Sequence, residues 1–337
     1  MPSLTNVNTN TLQQLQAELE GALHWDEVMR RLYATDASAY RELPLAVAIP
    51  KTEKDLEILI RFANDHGVPL IPRTAGTSLA GQVVGNGIVV DLSRHFNKIL
   101  EINPEERWAR VQPGVIRDEL NMALKPFGLY FGPETSTANR AMIGGMVGNN
   151  SCGSNSVVYG STREHLLEVK ALLSDGTKAE FKSVTPEELR QLASEKSPSP
   201  LLQRIYQTTD QLLSDPFNQE EIRKNFPKHT RERRNTGYAL DMLLDCAPYT
   251  PEGPSFNMCR LIAGSEGTLC LLTEIKVNLI PPPPPFQGLV CAHFNTIDEA
   301  LRATVVALNY HPQAVELIDG YILECAAKNT EHRKNAF

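Results

Sequence analysis

The residues of this 337-residue chain best suited to chemistry lie in three glycine-bearing stretches. The first, IPRTAGTSLAGQ at residues 71–82, sits between two strand-like runs. Its side chains are too small to pack a core and leave backbone N–H groups unshielded. Such a loop can hold a phosphate in a concave run of N–H groups. Gly76 permits close approach, and Thr77 and Ser78 add hydroxyl donors. The loop lacks the G-K-[ST] ending of a Walker A motif and the G-x-G-x-x-G dinucleotide fingerprint. Taken alone it reads as a tight surface turn.

The second stretch is GPETSTANRAMIGGMVGNNSCGSNSVVYG, residues 132–160. Glycine, asparagine and serine dominate it, and ordering it as a free loop costs much entropy. A flexible linker is one reading. Linkers seldom carry Met142, Ile143, Met146 and Val147 among their glycines, which favours a segment wrapped around a large flat ligand. The third stretch, AGSEGTLCLLTEI, sets Glu266 between Gly264 and Gly267 ahead of an apolar run. Alone it is a hairpin with a satisfied glutamate.

These stretches need elements to position them. TLQQLQAEL places Leu12, Leu15 and Leu19 on one helical face, with Thr11 and Gln14 as a capping box. LAVAIP reads as a strand. KTEKDLEILIRFANDHG reads as a helix capped by Thr52, with Asp55 in its first turn and Gly67 as its stop. VPLIP, GIVVDL, KILEIN and WARVQPG are strands, and a helix over residues 116–125 ends before Pro126. LEVKALLSDGTKAEFK is a hairpin on Asp175-Gly176. Residues 184–226 are helical and polar, and CRLIAGSEGTLCLLTEIKVNLI has strand or buried-helix character. Beyond Pro281–Pro285, a stiff spacer, GLVCAHF and QAVELID read as strands flanking a helix capped by Thr296 and Glu299. That last unit is too small to close a core, so the chain reads as a fragment or as completed elsewhere.

Bulk numbers exclude several classes. Hydrophobic content of 42%, charged content of 22% and a net charge of −7 suit a globular protein and disfavour nucleic-acid binding. No apolar run approaches the roughly 18 residues of a membrane span, and MPSLTNVNTN lacks the regions of a signal peptide. Six cysteines without a CxxC pair argue against zinc or iron–sulfur ligation and for reduced thiols in a cytosol.

Together, PRTAGTSLAGQ, IGGMVGNNSCG followed by VVYG, and GSEGTLCLLTE occur in the order and spacing of the FAD-binding domain of the vanillyl-alcohol oxidase (PCMH) type. Within that type the chain resembles the FAD-linked D-lactate, glycolate and D-2-hydroxyglutarate dehydrogenases over about residues 40–320. RNTGYAL matches their segment before the GSEGTL motif, while Cys270 stands where they usually carry glycine. The resemblance implies an α+β fold: a helical segment at 1–40, an FAD-binding domain at 41–280 in two α+β subdomains split near 110–165, the linker at 281–285, and the start of a ferredoxin-like cap domain at 286–337.

It implies site residues as well. Pro72, Arg73, Thr74, Ala75, Gly76, Thr77, Ser78 and Gln82 would form the pyrophosphate site, with Arg73 to Ser78 acting through backbone N–H groups. Pro133, Thr135, Gly144, Gly145, Asn149, Gly153, Tyr159 and Gly160 would line the adenosine and flavin channel, with Glu266, Gly267 and Leu269 near the ring system. Relatives with covalent FAD place a histidine in or near the phosphate loop. Residues 72–82 hold none, so non-covalent FAD is expected. Arg233 is the candidate anchor for a substrate carboxylate. The run Arg231 to Arg234 reads equally as a solvated basic turn. Relatives carry a metal-binding histidine cluster and general base in the cap. The eight histidines here are scattered without ligand spacing, so no metal site is expected.

The implied activity is oxidation of a D-2-hydroxy acid (lactate, glycolate or 2-hydroxyglutarate class) to the 2-oxo acid by hydride transfer to flavin. Electrons would pass to a quinone, an electron-transfer flavoprotein or an iron–sulfur domain. Location would be cytoplasmic, with membrane association only through such an acceptor. This stretch alone is expected to be the FAD-binding portion, turning over poorly by itself. The alternatives are a non-catalytic FAD-binding module and another flavoenzyme of the same fold with a different substrate.

Overall fold

The computed structural model describes residues 7–194, 197, 199–227 and 237–335. Among them, nine strands form two sheets. The strands are β1 (Ala22–His24), β2 (Ala46–Ile49), β3 (Leu70–Arg73), β4 (Ile88–Asp91), β5 (Ile99–Asn103), β6 (Trp108–Val111), β7 (Leu166–Leu172), β8 (Lys178–Phe181) and β9 (Leu271–Asn278). The first sheet has the order β1-β2-β4-β3, with β1 antiparallel to β2 and the other pairs parallel. The second has the order β5-β6-β9-β7-β8 and is antiparallel throughout. The fold is α+β. The chain changes sheets between Asp91 and Ile99, ahead of the 110–165 split expected from the sequence.

The helices are α1 (Thr9–Glu18), α2 (Glu27–Leu32), α3 (Glu53–His66), α4 (Arg117–Leu124), α5 (Ile143–Asn149), α6 (Ser156–Tyr159), α7 (Thr162–His165), α8 (Pro186–Leu192), α9 (Pro200–Ser214), α10 (Pro216–Asn225), α11 (Leu240–Leu244), α12 (Cys259–Ile262), α13 (Ile297–Leu308) and α14 (Gly320–Lys328). Local chemistry sets α3: Thr52 and Asp55 form a reciprocal capping box, and Gly67 ends the helix at φ 65°. Its buried Leu56, Ile58, Leu59, Ile60 and Phe62 join the core of the first sheet. Burying such side chains stabilises by about 1.5–3 kcal/mol each.

The two halves share one packed body. Leu172 of β7 and Leu271 of β9 belong to the core of the first sheet, although their strands lie in the second. Along β9 burial alternates, so Leu271, Thr273, Ile275 and Val277 are buried. The opposite face carries a charge lattice. There Arg110 donates to Glu168 at 2.7 Å, Lys276 donates to Glu168 at 3.1 Å, and Lys170 lies 2.9 Å from Glu274.

Three sequence expectations are corrected. Helix α1 begins at Thr9, so Thr11 already lies inside its first turn; the cap is Asn8, whose Oδ1 accepts from the Thr11 N–H at 3.0 Å. The N-terminal segment is not purely helical, because β1 pairs with β2. Residues 288–294 and 313–319 form no strand. Leu289 and Val290 are each 90% exposed, and a strand gains its stability only beside another edge. The helix between those residues does form, with the Thr296 and Glu299 capping box.

Candidate functional site

Parallel pairing carries β3 alongside β4 as far as Arg73 opposite Asp91. The chain then leaves the sheet and turns at Gly76, whose φ is +66°. Among the described residues, the N–H groups of Ala75, Gly76, Thr77 and Ser78 have no intramolecular acceptor. Half-buried donors without acceptors form the kind of nest that takes an anion.

Helix α5 faces this loop. Glycine disfavours helix by about 1 kcal/mol per residue, so packing has to hold α5 together. Ile143, Met146 and Val147 are buried, and the N–H groups of Ile143 and Gly144 donate to Val115 and Pro113 carbonyls at 2.9 and 2.8 Å. The two glycines admit close neighbours. A Cβ on Gly144 would sit 2.5 Å from Pro113 Cβ, and one on Gly145 would sit 2.8 Å from Thr74 Oγ1. At its far end Asn150 takes φ 50°, and its Oδ1 accepts from Ser161 Oγ at 2.8 Å and the Arg163 N–H at 2.9 Å.

The third wall is the turn before β9. Gly264 and Glu266 donate their N–H groups to the carbonyls of Val147 and Gly148 at 2.9 Å each. Gly264, Glu266 and Gly267 all have positive φ, at 85°, 54° and 74°. A Cβ on Gly267 would lie 3.1 Å from Pro72 Cγ, so the turn is wedged between the phosphate-loop entrance and α5. Buried Arg163 pins it from behind, donating through Nη2 to the carbonyls of Ala263 (2.6 Å) and Gly237 (2.7 Å). Partial burial raises the pKa of Glu266, while a Gln82 hydrogen bond lowers it by a smaller amount.

These walls enclose a cavity of about 420 Å³. Pro72, Arg73, Thr74, Ala75, Gly76, Thr77, Ser78, Gln82, Thr135, Gly144, Gly145, Asn149, Glu266 and Gly267 are brought together around it. Pro133, Gly153, Tyr159, Gly160 and Leu269 lie outside its lining. The Pro133 carbonyl accepts from Arg117 Nε at 3.1 Å, and Gly153 leaves room for the Glu134 carbonyl. Tyr159 packs edge-on to Tyr130 and accepts from Gln313 at 2.8 Å. Gly160 turns at φ 69°, and Leu269 is exposed. Arg233 lies outside the described residues.

Sequence reasoning named no site role for several lining residues, among them Ala37, Pro113, Arg140, Cys152, Ile262 and Leu272. Ala37 and Pro113 carry no local signal, because tertiary packing alone brings them here. Burial raises the pKa of the Cys270 thiol. Among the described residues, no group of three or more His, Cys, Asp or Glu side chains could hold a metal ion, and no helix is long and apolar enough to cross a membrane.

The cavity combines orphan N–H donors, a helix with glycines at its tight contacts and an apolar wall, which suits an elongated phosphate-bearing ring cofactor. Residues 44–182 match the family described as FAD binding domain. D-2-hydroxyglutarate dehydrogenase of Escherichia coli (strain K12) is 36% identical over 97% of this chain and 31% of its own length. Glycolate oxidase subunit GlcD of Bacillus subtilis (strain 168) is 26% identical over 92% of this chain and 54% of its own length. The chain thus spans about a third of the length of the D-2-hydroxyglutarate dehydrogenases it matches. Among solved structures, alkyldihydroxyacetonephosphate synthase superposes with a TM-score of 0.53 at 17% identity, covering 82% of this chain and 44% of that one. Physcomitrella patens BBE-like 1 superposes at 0.52 with 16% identity, covering 80% and 44%.

Fold and site define a flavin-dinucleotide-binding domain. Over residues 44–182 the chain carries an FAD binding domain, and its fold is similar to that of the two solved structures.

Proposed function

We propose that the chain is the FAD-binding portion of an oxidoreductase that converts a D-2-hydroxy acid of the lactate, glycolate or 2-hydroxyglutarate class to the 2-oxo acid. The observation that carries this reading is the convergence of residues 72–78, α5 and residues 264–267 on one cavity. Similarity to D-2-hydroxyglutarate dehydrogenases at 34–36% identity supports the substrate class. When bound, FAD supplies the hydride acceptor, and the protein supplies orientation and electrostatics.

The chain's own residues divide that work. The N–H groups of Ala75 to Ser78 would hold the pyrophosphate, and Gly145 keeps α5 close to Thr74 beside them. Met146, Val147, Ile262 and Leu272 form an apolar wall of the cavity that would shield the ring system from water. Gln82 and Glu266 supply a hydrogen-bonding pair at the same wall. Arg233 is the candidate for the substrate carboxylate, by a bidentate guanidinium contact. Electrons leave to a quinone, an electron-transfer flavoprotein or an iron–sulfur domain, and the protein works in the cytoplasm.

The test has two arms. The purified chain is expected to be yellow, with acid precipitation releasing free FAD, as non-covalent binding requires. Colour that stays in the pellet contradicts the non-covalent reading, and a chain that cannot be loaded with FAD contradicts the whole. In the second arm the FAD-loaded protein is mixed anaerobically with D-2-hydroxyglutarate, D-lactate or glycolate, and flavin bleaching is followed. Bleaching by any of them supports hydroxy-acid oxidation. FAD binding without rapid bleaching is the result expected of the FAD-binding portion alone, and a longer chain carrying this stretch that also fails to bleach points to the rival reading, a module that binds FAD without turnover.

A further inference from the structure

The phosphate loop contains one cation, Arg73, and a guanidinium beside a pyrophosphate would have an obvious use. Its contacts point elsewhere. Arg73 Nη1 donates to the carbonyl of Thr35 at 2.9 Å and to that of Tyr33 at 3.4 Å, and the guanidinium carbon lies 5.1 Å from the Tyr33 ring centroid. Tyr33 is fixed in turn by its hydroxyl, which donates to Asp91 Oδ2 at 2.5 Å. Asp91 is the residue paired with Arg73 across β3 and β4, so the chain of contacts closes on itself. The guanidinium also occupies the space beneath the turn: a Cβ on Gly76 would meet Arg73 Nη2 at 2.5 Å.

We propose that Arg73 is a positioning residue for the dinucleotide. It holds the loop in shape through the carbonyls and ring of residues 33–35, and the neutral N–H groups of Ala75 to Ser78 meet the phosphates. The inference rests on the FAD-binding reading given above. It makes cofactor affinity depend on a segment some forty positions upstream that bears no recognisable motif. It also makes affinity depend on the fork and plane of the guanidinium rather than on its charge.

The experiment is FAD titration of the chain and its variants over a range of salt concentrations, with amide hydrogen exchange of residues 74–78 measured on the FAD-free proteins. Arg73→Lys keeps the charge but cannot stack flat on Tyr33 while bonding two carbonyls. It is expected to weaken FAD at least tenfold and to speed exchange at residues 74–78. Tyr33→Leu is expected to do the same, and the double variant to be no worse than the weaker single one, because both remove one support. Arg73→Met is expected to keep the parent's dependence of affinity on salt, since no ion pair with phosphate is lost. Arg73→Lys binding within twofold of the parent would overturn the proposal. So would a shallower salt dependence in Arg73→Met with effects that add to those of Tyr33→Leu. A parent chain that binds no FAD would remove the FAD reading and this inference with it, whereas a binding parent with an unaffected Arg73→Lys removes this inference alone.

Discussion

Gly144 and Gly145 are adjacent, yet substituting them with alanine should give opposite phenotypes. A Cβ on Gly144 would stand 2.5 Å from Pro113 Cβ and 3.0 Å from Pro113 Cα and carbonyl oxygen. Backbone must move by most of an ångström, and the Gly144 N–H bond to Pro113 at 2.8 Å lies in the way. Overpacking of this kind costs about 1–3 kcal/mol, a strained or lost hydrogen bond adds about 1, and alanine returns about 1 in helix propensity. The net loss for Gly144→Ala is about 1–3 kcal/mol. A Cβ on Gly145 meets only Thr74 Oγ1, at 2.8 Å. Turning that side chain costs about 1 kcal/mol, which the same propensity gain offsets. The FAD-free Gly145→Ala chain should therefore match the parent's stability to within about 0.5 kcal/mol. Its cavity wall is altered at both Thr74 and residue 145, so FAD affinity should fall at least tenfold, about 1.4 kcal/mol. Urea unfolding of the FAD-free proteins and FAD titration separate the two effects. Gly144→Ala unfolding at the parent midpoint, or Gly145→Ala binding FAD as tightly as the parent, would refute the reasoning.

Gly76→Ala combines a left-handed φ of +66° with a contact on Arg73, so it should lose about 1–3 kcal/mol of stability and at least tenfold in FAD affinity. Unchanged affinity in a folded variant would move the phosphate site elsewhere. Burial raises the Glu266 pKa in the folded chain, so that chain binds more protons than the unfolded one between the two pKa values, and its stability falls as pH rises through them. Glu266→Gln should accordingly gain on the FAD-free parent in melting temperature from acid to neutral pH, with the difference vanishing below the unfolded pKa; parallel profiles would contradict this. Arg163→Met leaves the Ala263 and Gly237 carbonyls without their guanidinium donor, and chemical unfolding should show a loss of about 3 kcal/mol or more. A loss below about 1 kcal/mol would show that Arg163 does not hold the turn.

Elements governed by local chemistry were legible in the sequence. The Thr52 box, the Gly67 stop and the Asp175-Gly176 hairpin formed where the residue types require them. Helix α5 was not legible, because a seven-residue run with three glycines and an asparagine opposes helix by propensity and is held by Pro113, Val115 and a buried apolar face. The strands expected at residues 288–294 and 313–319 erred the other way: their composition suits strands, but no edge lies beside them among the described residues. At the site, small residues in the three stretches marked where the chain comes close. The sequence placed Arg73 in the loop through its backbone N–H, and could not show that the Tyr33 and Thr35 carbonyls take up its guanidinium.

The central place of β9 bears on how the protein is made. Strands β6 and β7 do not pair with each other; each pairs with β9, whose residues come about a hundred or more positions later in the chain. Until Leu271–Asn278 inserts, the second sheet is two separate hairpins with open edges facing one another. Such high contact order makes closure slow and leaves those edges open to mispairing with other chains. The turn at residues 264–267 leads straight into β9, so the insertion that seals the sheet also delivers the last wall of the cavity. FAD can then recognise only the chain that has closed. At a hundredfold excess over Kd it would hold that state by about 2.7 kcal/mol, making flavin supply a determinant of how much newly made chain escapes aggregation.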